Sequence, residues 1–402
     1  MTRGRRGQGA DPRLRRAALA TALVFAVNGF LLASWVSRLP ATRDRLGATA
    51  AELGLVLLAP GFGSLLSMPF SGRWCRRFGS RTVVAATTVA GCAVLVALAV
   101  VPTLVGLGLT LFVWGAFYGS WDVAMNVHGS AVEQRAGHEW MPRYHACWSV
   151  GGIAGAGFGA LAAHLASPLA LHFAVVAVLC AALVAVALRD FVEDRAGGVE
   201  AAAHPNRDRG RGRVLTGRLL LVGVVTLCAT TLEGAAADWL ALFLTDERGA
   251  TGSLAAVGYA VFAVAMAGGR FSGTVVAERL GRDGAVRAGG LVSLAGVLLC
   301  VLGPGLVASY VGAALWALGV CLVFPAAVSA GGETPGRPAD AIAAVTTIGY
   351  GGFLVGPPLI GLLADRVGLG RALLVLCLLA GGIATLAPAV RSRRPQPVAA
   401  RP

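Results

Sequence analysis

Twelve apolar runs divide this chain, at about 15–36, 51–70, 82–101, 105–131, 143–163, 169–188, 217–243, 251–276, 287–303, 305–329, 340–363 and 371–390. Most come close to the roughly 20 residues that a helix needs to cross the hydrocarbon core of a bilayer. Lipid offers no water to a peptide group, so each run must close its hydrogen bonds within itself, and a helix does this. The runs are too long and too evenly apolar for the strands of a barrel. Composition agrees, with 56% hydrophobic and 13% charged residues, which is too apolar for a soluble globular chain. The expectation is an all-α integral membrane protein with twelve transmembrane helices.

Charge sets the orientation. The formal net charge is +14 and every basic residue is arginine. Such a charge raises the idea of a nucleic-acid partner, and its distribution argues against one. The arginines lie in short segments between apolar runs, as the positive-inside rule requires. Twenty-seven of the 34 fall on one side of the membrane, six on the other, and Arg270 lies within a run. Both termini are therefore expected in the cytoplasm of a bacterial cell, with the chain in its inner membrane. The N-terminal arginines resemble the charged start of a signal peptide, but the run that follows continues into Trp35 and reads as a retained first span. Residues 1–16 form a basic tail, 17–190 a first six-helix half, 191–216 a polar linker expected to be disordered, 217–390 a second half, and 391–402 a second tail.

The halves echo each other at an offset near 200. Gly151-Gly152 matches Gly351-Gly352, Arg77-Phe78-Gly79 matches Arg279-Leu280-Gly281, and Trp114 matches Trp316. Two parallel six-helix repeats are one of the builds of secondary transporters, in which the binding site lies near the middle of the membrane.

Polar residues inside the runs are the candidate site, because a charge at membrane depth is costly and marks function by default. The fourth run carries Asp122, Asn126 and His128. Gly119, Asp122, Asn126, Gly129 and Glu133 are three or four residues apart and form one helical stripe. Asp122 suits a proton carrier, and Asn126, which donates and accepts, suits a hydroxylated solute. Each has a structural alternative, as polar glue between helices. Glu233 in the seventh run is a second intramembrane carboxylate beside small residues. His145 could titrate near neutrality. Trp35, Trp121 and Trp148 could offer flat faces to a solute ring, although such aromatics also serve as packing or interface anchors. At the outer ends, Arg38 or Arg43 could pair with Asp238 as a gate. At the inner ends, Glu133 could latch onto Arg77 or Arg81. Arg270 is expected to snorkel to the surface.

This organisation resembles the major facilitator superfamily (MFS) over essentially the whole chain. The stretch Gly72 to Arg81, with Arg76-Arg77-Phe78-Gly79, is similar to the signature loop of that superfamily, with Arg76 where the pattern has an acid. Within the superfamily, Asp122-Val-Ala-Met-Asn126 resembles the fourth-span pattern of the fucose permease-like branch, with Val127 where that branch has Pro. The resemblance implies that Asp122 takes part in solute binding and proton coupling. It also implies a polar first-span partner, for which Asn28 is the nearest candidate.

Nothing in the chain matches a phosphate loop, a nucleophile elbow or a zinc signature, so no enzyme activity and no metal or organic cofactor is expected. The eight scattered cysteines read as packing residues. The reading is a permease that moves a small polar solute, sugar-like by the resemblance, by alternating access with proton symport. Proton-coupled efflux of a drug or metabolite, and a membrane receptor that transports nothing, are the alternatives. A monomer embedded in the lipid bilayer is expected.

Overall fold

The computed structural model describes residues 11–48, 52, 55–194, 215–250, 252–335 and 337–392. The two tails beyond these and linker residues 195–214 lie outside the described residues. The chain is entirely helical there: α1 Pro12–Val36, α2 Leu39–Leu46, α3 Ala59–Phe78, α4 Ser80–Leu98, α5 Leu104–Ala136, α6 Met141–His164, α7 Leu169–Ala187, α8 Gly217–Asp246, α9 Gly252–Leu280, α10 Arg282–Leu302, α11 Gly305–Val320, α12 Val323–Gly332, α13 Pro338–Val367, α14 Leu369–Leu373 and α15 Val375–Leu386. Among the described residues, eleven helices are long and apolar enough to cross a membrane. The twelfth is α3, which is 20 residues long but carries Arg73, Arg76 and Arg77 in its last turns.

Local chemistry explains the boundaries. Asp11 caps α1 by accepting from Arg13 N at 3.0 Å, and Pro12 opens the helix where no amide partner is needed. Thr103 caps α5 through Gly106 N at 3.1 Å. The second apolar run begins at 51; residues 52, 55 and 56 are helical, and after a turn at 57–58 α3 runs from Ala59 with Pro60 in its first turn. The same helix continues through the expected signature loop as far as Phe78. Only Gly79, at φ 81°, separates it from α4, and Gly281, at φ 73°, does the same between α9 and α10. A residue with a Cβ would be strained at either place. The tenth run is broken between α11 and α12, where Pro325 cannot donate to the carbonyl of Cys321.

The chain forms two compact units, Met1–Gly212 with Ile342–Thr347, and Arg213–Ala341 with Ile348–Pro402. In the first unit α1 packs along α6 and α3 along α5, and glycine makes both approaches possible. A Cβ on Gly151 would stand 1.9 Å from Ala26 O, and one on Gly115 would stand 2.1 Å from Pro60 O. Hydroxyls join the backbones where they come this close. Ser64 Oγ donates to Gly115 O at 2.8 Å, and Ser67 Oγ donates to Ala116 O at 2.8 Å. In the second unit α8 and α13 meet in the same way. A Cβ on Gly352 would stand 2.6 Å from Leu227 O, and Thr230 Oγ1 donates to Gly349 O at 2.5 Å. The Gly151-Gly152 and Gly351-Gly352 echo thus marks equivalent helix contacts.

One expectation is corrected here. The linker does not begin as free chain at 191. Phe191 stacks on His128 with ring centroids 3.6 Å apart, and Val192 N donates to His128 Nε2 at 3.1 Å. Arg135 Nη2 donates to Glu193 O, and Asp194 Oδ1 accepts from Ser80 N at 3.0 Å, at the start of α4. Polar composition hid this segment because its contacts are mostly to backbone.

Two predictions follow from this packing. Gly151→Ala should destabilise the protein by about 1–3 kcal/mol, as overpacking does, whereas Gly157→Ala, which meets nothing within 4 Å, should not. Thermal unfolding in detergent reads both, and equal midpoints would refute the packing account. The second concerns Asp194. Burial raises its carboxyl above the ordinary value, outweighing the bonds from Ser80. The docked segment therefore favours the protonated acid, so docking is strongest at acidic pH and weakens as pH rises through the raised value. Asp194→Asn should protect the Ser80 amide from hydrogen exchange at neutral pH at least as well as the native acid, and Asp194→Ala should expose it. Equal exchange in the two variants would show that the side-chain oxygen is not the cap.

Candidate functional site

The fourth-run stripe folds into α5, where Ser120 to Ser130 are all buried. Asp122 is 6% exposed. Asn126, one turn on, donates from Nδ2 to Asp122 O at 2.8 Å and to Asp122 Oδ1 at 3.3 Å. That leaves Asn126 Oδ1 facing α6, where His145 Nε2 lies 3.3 Å away and, in the tautomer with Nε2–H, donates to it. Asp122, Asn126 and His145 thus form one hydrogen-bonded chain across two helices. Phe25 of α1 holds the His145 ring edge-on at 5.1 Å.

A second polar group lies one turn further along α6. Trp148 Nε1 donates to Asn28 Oδ1 at 3.0 Å and to Tyr118 Oη at 3.3 Å, so α1, α5 and α6 meet at one indole. Asn28 is fully buried, and its Nδ2 has no partner among the described residues. It is a donor held in place for an acceptor. Asn28, Asp122, Asn126, His145 and Trp148 therefore come together in the first unit. Tyr118 was not among the expected site residues. It lies one turn before Asp122 on the same stripe, which is the signal that points to it.

Trp121 and Trp35 do not have the open faces expected of them. Both rings are completely enclosed, Trp35 against Phe173 at 6.0 Å. Trp121 follows Ser120 and precedes Asp122, so it lies a quarter-turn or more off the polar stripe and packs as core. Trp148 is half-buried.

Glu133 is fully buried, and its Oε2 accepts from Trp140 N at 3.0 Å and Met141 N at 2.9 Å. The carboxylate expected in a latch with Arg77 or Arg81 sits on the positive end of α6, and both arginines are exposed. His128, in the neighbouring stripe, bonds Thr21 Oγ1 through Nδ1 at 2.9 Å and serves the docked linker start. Of the expected outer gate, Arg38 is 5% exposed and donates from Nη2 to Ser167 O at 2.7 Å. Its Nε and Nη1 have no partner among the described residues. Asp238 is exposed on α8, and the side chain of Arg43 lies outside the described residues.

In the second unit Glu233 faces Arg270 of α9. Arg270 Nη2 lies 3.2 Å from Oε1 and 3.3 Å from Oε2. Arg270 does not snorkel. Its guanidinium stays buried near the middle of α9, because a carboxylate on the adjacent helix meets it there. The sequence signal was its place ten residues before the end of α9, too far in for its side chain to reach the surface. Among the described residues no group of three or more His, Cys, Asp or Glu could hold a metal ion.

The Major Facilitator Superfamily model matches residues 17–357. The chain belongs to this superfamily. It is similar to an uncharacterized MFS-type transporter of Yersinia pestis, 34% identical over 382 residues, covering 92% of this chain and 95% of the relative. The membrane protein MosC of Rhizobium meliloti is 29% identical over 390 residues, covering 94% and 92%. Among solved structures, the fold matches the E. coli fucose:proton symporter FucP with a TM-score of 0.72 and 17% identity, covering 94% of this chain and 98% of that one. It also matches the human organic anion transporter MFSD10, with a TM-score of 0.76 and 16% identity, covering 94% and 100%. This MFS chain is thus a multi-pass membrane protein with the fold of a secondary-active transporter, and not an enzyme.

The capping role of Glu133 is testable in this transporter. Glu133→Ala removes both charge and acceptor at the start of α6 and should cost about 1–2 kcal/mol, while Glu133→Gln keeps an acceptor and should cost less. A Gln variant as unstable as the Ala variant would show that charge alone matters.

Proposed function

We propose that this MFS chain is a proton-coupled permease for a small polar solute, working in the inner membrane with both termini in the cytoplasm. The observation that carries the proposal is the buried chain from Asp122 through Asn126 to His145. A carboxylate enclosed at membrane depth and joined to a neutral amide can gain or lose a proton. When it does so, it changes what the pair offers to a solute. As an anion, Asp122 accepts from Asn126. As an acid, it gains a donor that can turn to a hydroxyl, while Asn126 keeps its bond to the Asp122 carbonyl. Asn28 Nδ2 supplies a second donor nearby, and the half-buried ring of Trp148 supplies an apolar face. Hydroxylated, sugar-like solutes need such alternating donors, acceptors and flat surfaces.

The acid-plus-Asn pattern of the fucose permease-like branch and the fold shared with a fucose:proton symporter support the same reading. The arginine bias of the loops supports the orientation. Uptake is favoured over efflux of apolar compounds because the residues gathered around Asp122 are polar.

The test is proton movement into proteoliposomes on addition of single sugars, polyols and small metabolites. One solute should drive flux in the native protein. Asp122→Asn should reduce that flux at least about tenfold, a loss of about 1.4 kcal/mol or more in coupling. The variant should still bind the solute, as read by a thermal shift. Native rates and a native pH profile in Asp122→Asn would remove Asp122 from the mechanism.

A further inference from the structure

Two charged side chains that face each other at the middle of two spans are expensive. Each loses its water, and their attraction offsets that loss only in part. A pair of apolar side chains would hold α8 to α9 at less cost. The Glu233–Arg270 pair is also short of the best geometry. Both carboxylate oxygens converge on one nitrogen, Nη2, at 3.2 and 3.3 Å. A fork-to-fork pair would use two nitrogens at about 2.8 Å. The partners are unequally buried, since the side chain of Arg270 is 6% exposed and that of Glu233 is 27% exposed. The acid is the more open partner and the guanidinium the more enclosed one.

The residues next to the pair in sequence are small. Glu233 is followed by Gly234, Ala235, Ala236 and Ala237, and Arg270 is preceded by Gly268 and Gly269. The other titratable groups at the pair are Asp238, Tyr259 and Cys321. Tyr259 lies three turns before Arg270 on the same face of α9, within electrostatic range of Glu233 and Asp238. Cys321 lies close enough to feel both members of the pair, and its Sγ would stand 2.5 Å from a Cβ on Gly269.

We propose that Arg270 binds the acid group of the solute, and that Glu233 occupies the guanidinium until the solute replaces it. The proposal rests on the transport reading above and adds the charge class of the solute, a small organic acid. The exchange balances. A solute carboxylate and one proton from solution enter together. The proton goes to Glu233, which leaves Arg270 as a neutral acid, and the solute takes its place on the cation. The net charge of the site is the same before and after, so no unmatched ion is left in the membrane. Release reverses both steps.

The experiment is a thermal-shift titration of the purified full-length protein in detergent, at acidic and alkaline pH. The probes are sodium lactate, gluconate and glucuronate, each beside a neutral counterpart (lactamide, sorbitol, glucose) and sodium chloride. At least one acid should stabilise the native protein, more strongly at acidic pH, and its counterpart should not. Arg270→Gln should abolish this shift, and Arg270→Lys should weaken it about tenfold. Glu233→Gln should bind the acid about tenfold more tightly at alkaline pH and lose the pH dependence, because the amide cedes the guanidinium without a proton. Should Arg270→Gln fail to fold, the Lys and Glu233→Gln variants carry the test. Equal stabilisation by neutral counterparts, no shift with any acid, or a shift unchanged in the Arg270 variants would overturn the proposal. The transport reading is separable. Proton flux driven by a neutral solute and unaffected by Arg270→Lys refutes the anion site and leaves the permease standing. Acid binding at Arg270 without flux for any solute does the reverse.

Discussion

A hydrogen-bonding group inside the hydrocarbon core has no water to fall back on, and every feature of this transporter answers to that. The backbone meets the constraint with helices. The helices then approach closely enough for Ser64, Ser67 and Thr230 to reach carbonyls on their neighbours. They can do so because Gly63, Gly115, Gly151 and Gly352 remove the side chains that would hold the backbones apart. Hydrophobic burial contributes little between helices in lipid, so close packing and these hydroxyl bonds carry the association. The polar residues of the site sit on this scaffold, and each is held by a neighbour fixed in the same way.

The ends of the two units face a related problem and meet it with different chemistry. Glu133 and Glu333 are 200 residues apart and occupy equivalent places. Glu133 sits on the first amides of α6, whereas Glu333 accepts from Arg282 at 2.9 Å and from the Ser392 hydroxyl at 3.1 Å. The chain leaving each unit is pinned across the same end. Asp194 caps α4, and Arg391 pairs with Asp283 at the start of α10. Equivalent positions were kept while the bonding partners changed, as expected where only the fastening of helix ends is required.

Much of this was legible in the sequence, for identifiable reasons. Run length and hydropathy are enough to find membrane helices, since lipid leaves the backbone no choice. The Asp122–Asn126 contact follows from a spacing of four on one helix. The bonds from Asn126 to His145 and from Trp148 to Asn28 were not legible, although all four residues were candidates. They depend on which faces of α1, α5 and α6 meet, and that is set by close approaches at Gly29, Gly129 and Gly151 between segments far apart in the chain. Trp121 failed as a binding surface for a local reason, its place beside the stripe rather than on it. The turn at 57–58 ahead of Pro60, which interrupts the second run, does not show in hydropathy. Arg270 was misjudged because snorkelling is the usual fate of an arginine near lipid; its depth in α9 argued against it, and Glu233 on α8 meets it there.

The two intramembrane acids differ in what protonation would leave behind. Asp122 is held by a neutral amide. A proton there alters the direction of that hydrogen bond. Glu233 is held by a guanidinium. A proton there removes the carboxylate charge that faces a buried cation, and an incoming anion would restore it. On the transport reading, the step proposed at Asp122 works through its bond to Asn126, whereas the exchange proposed at Glu233 needs an incoming anion. On the proposed reading, the same residue type in two environments would give one group suited to carrying a proton and another suited to making proton uptake conditional on the solute.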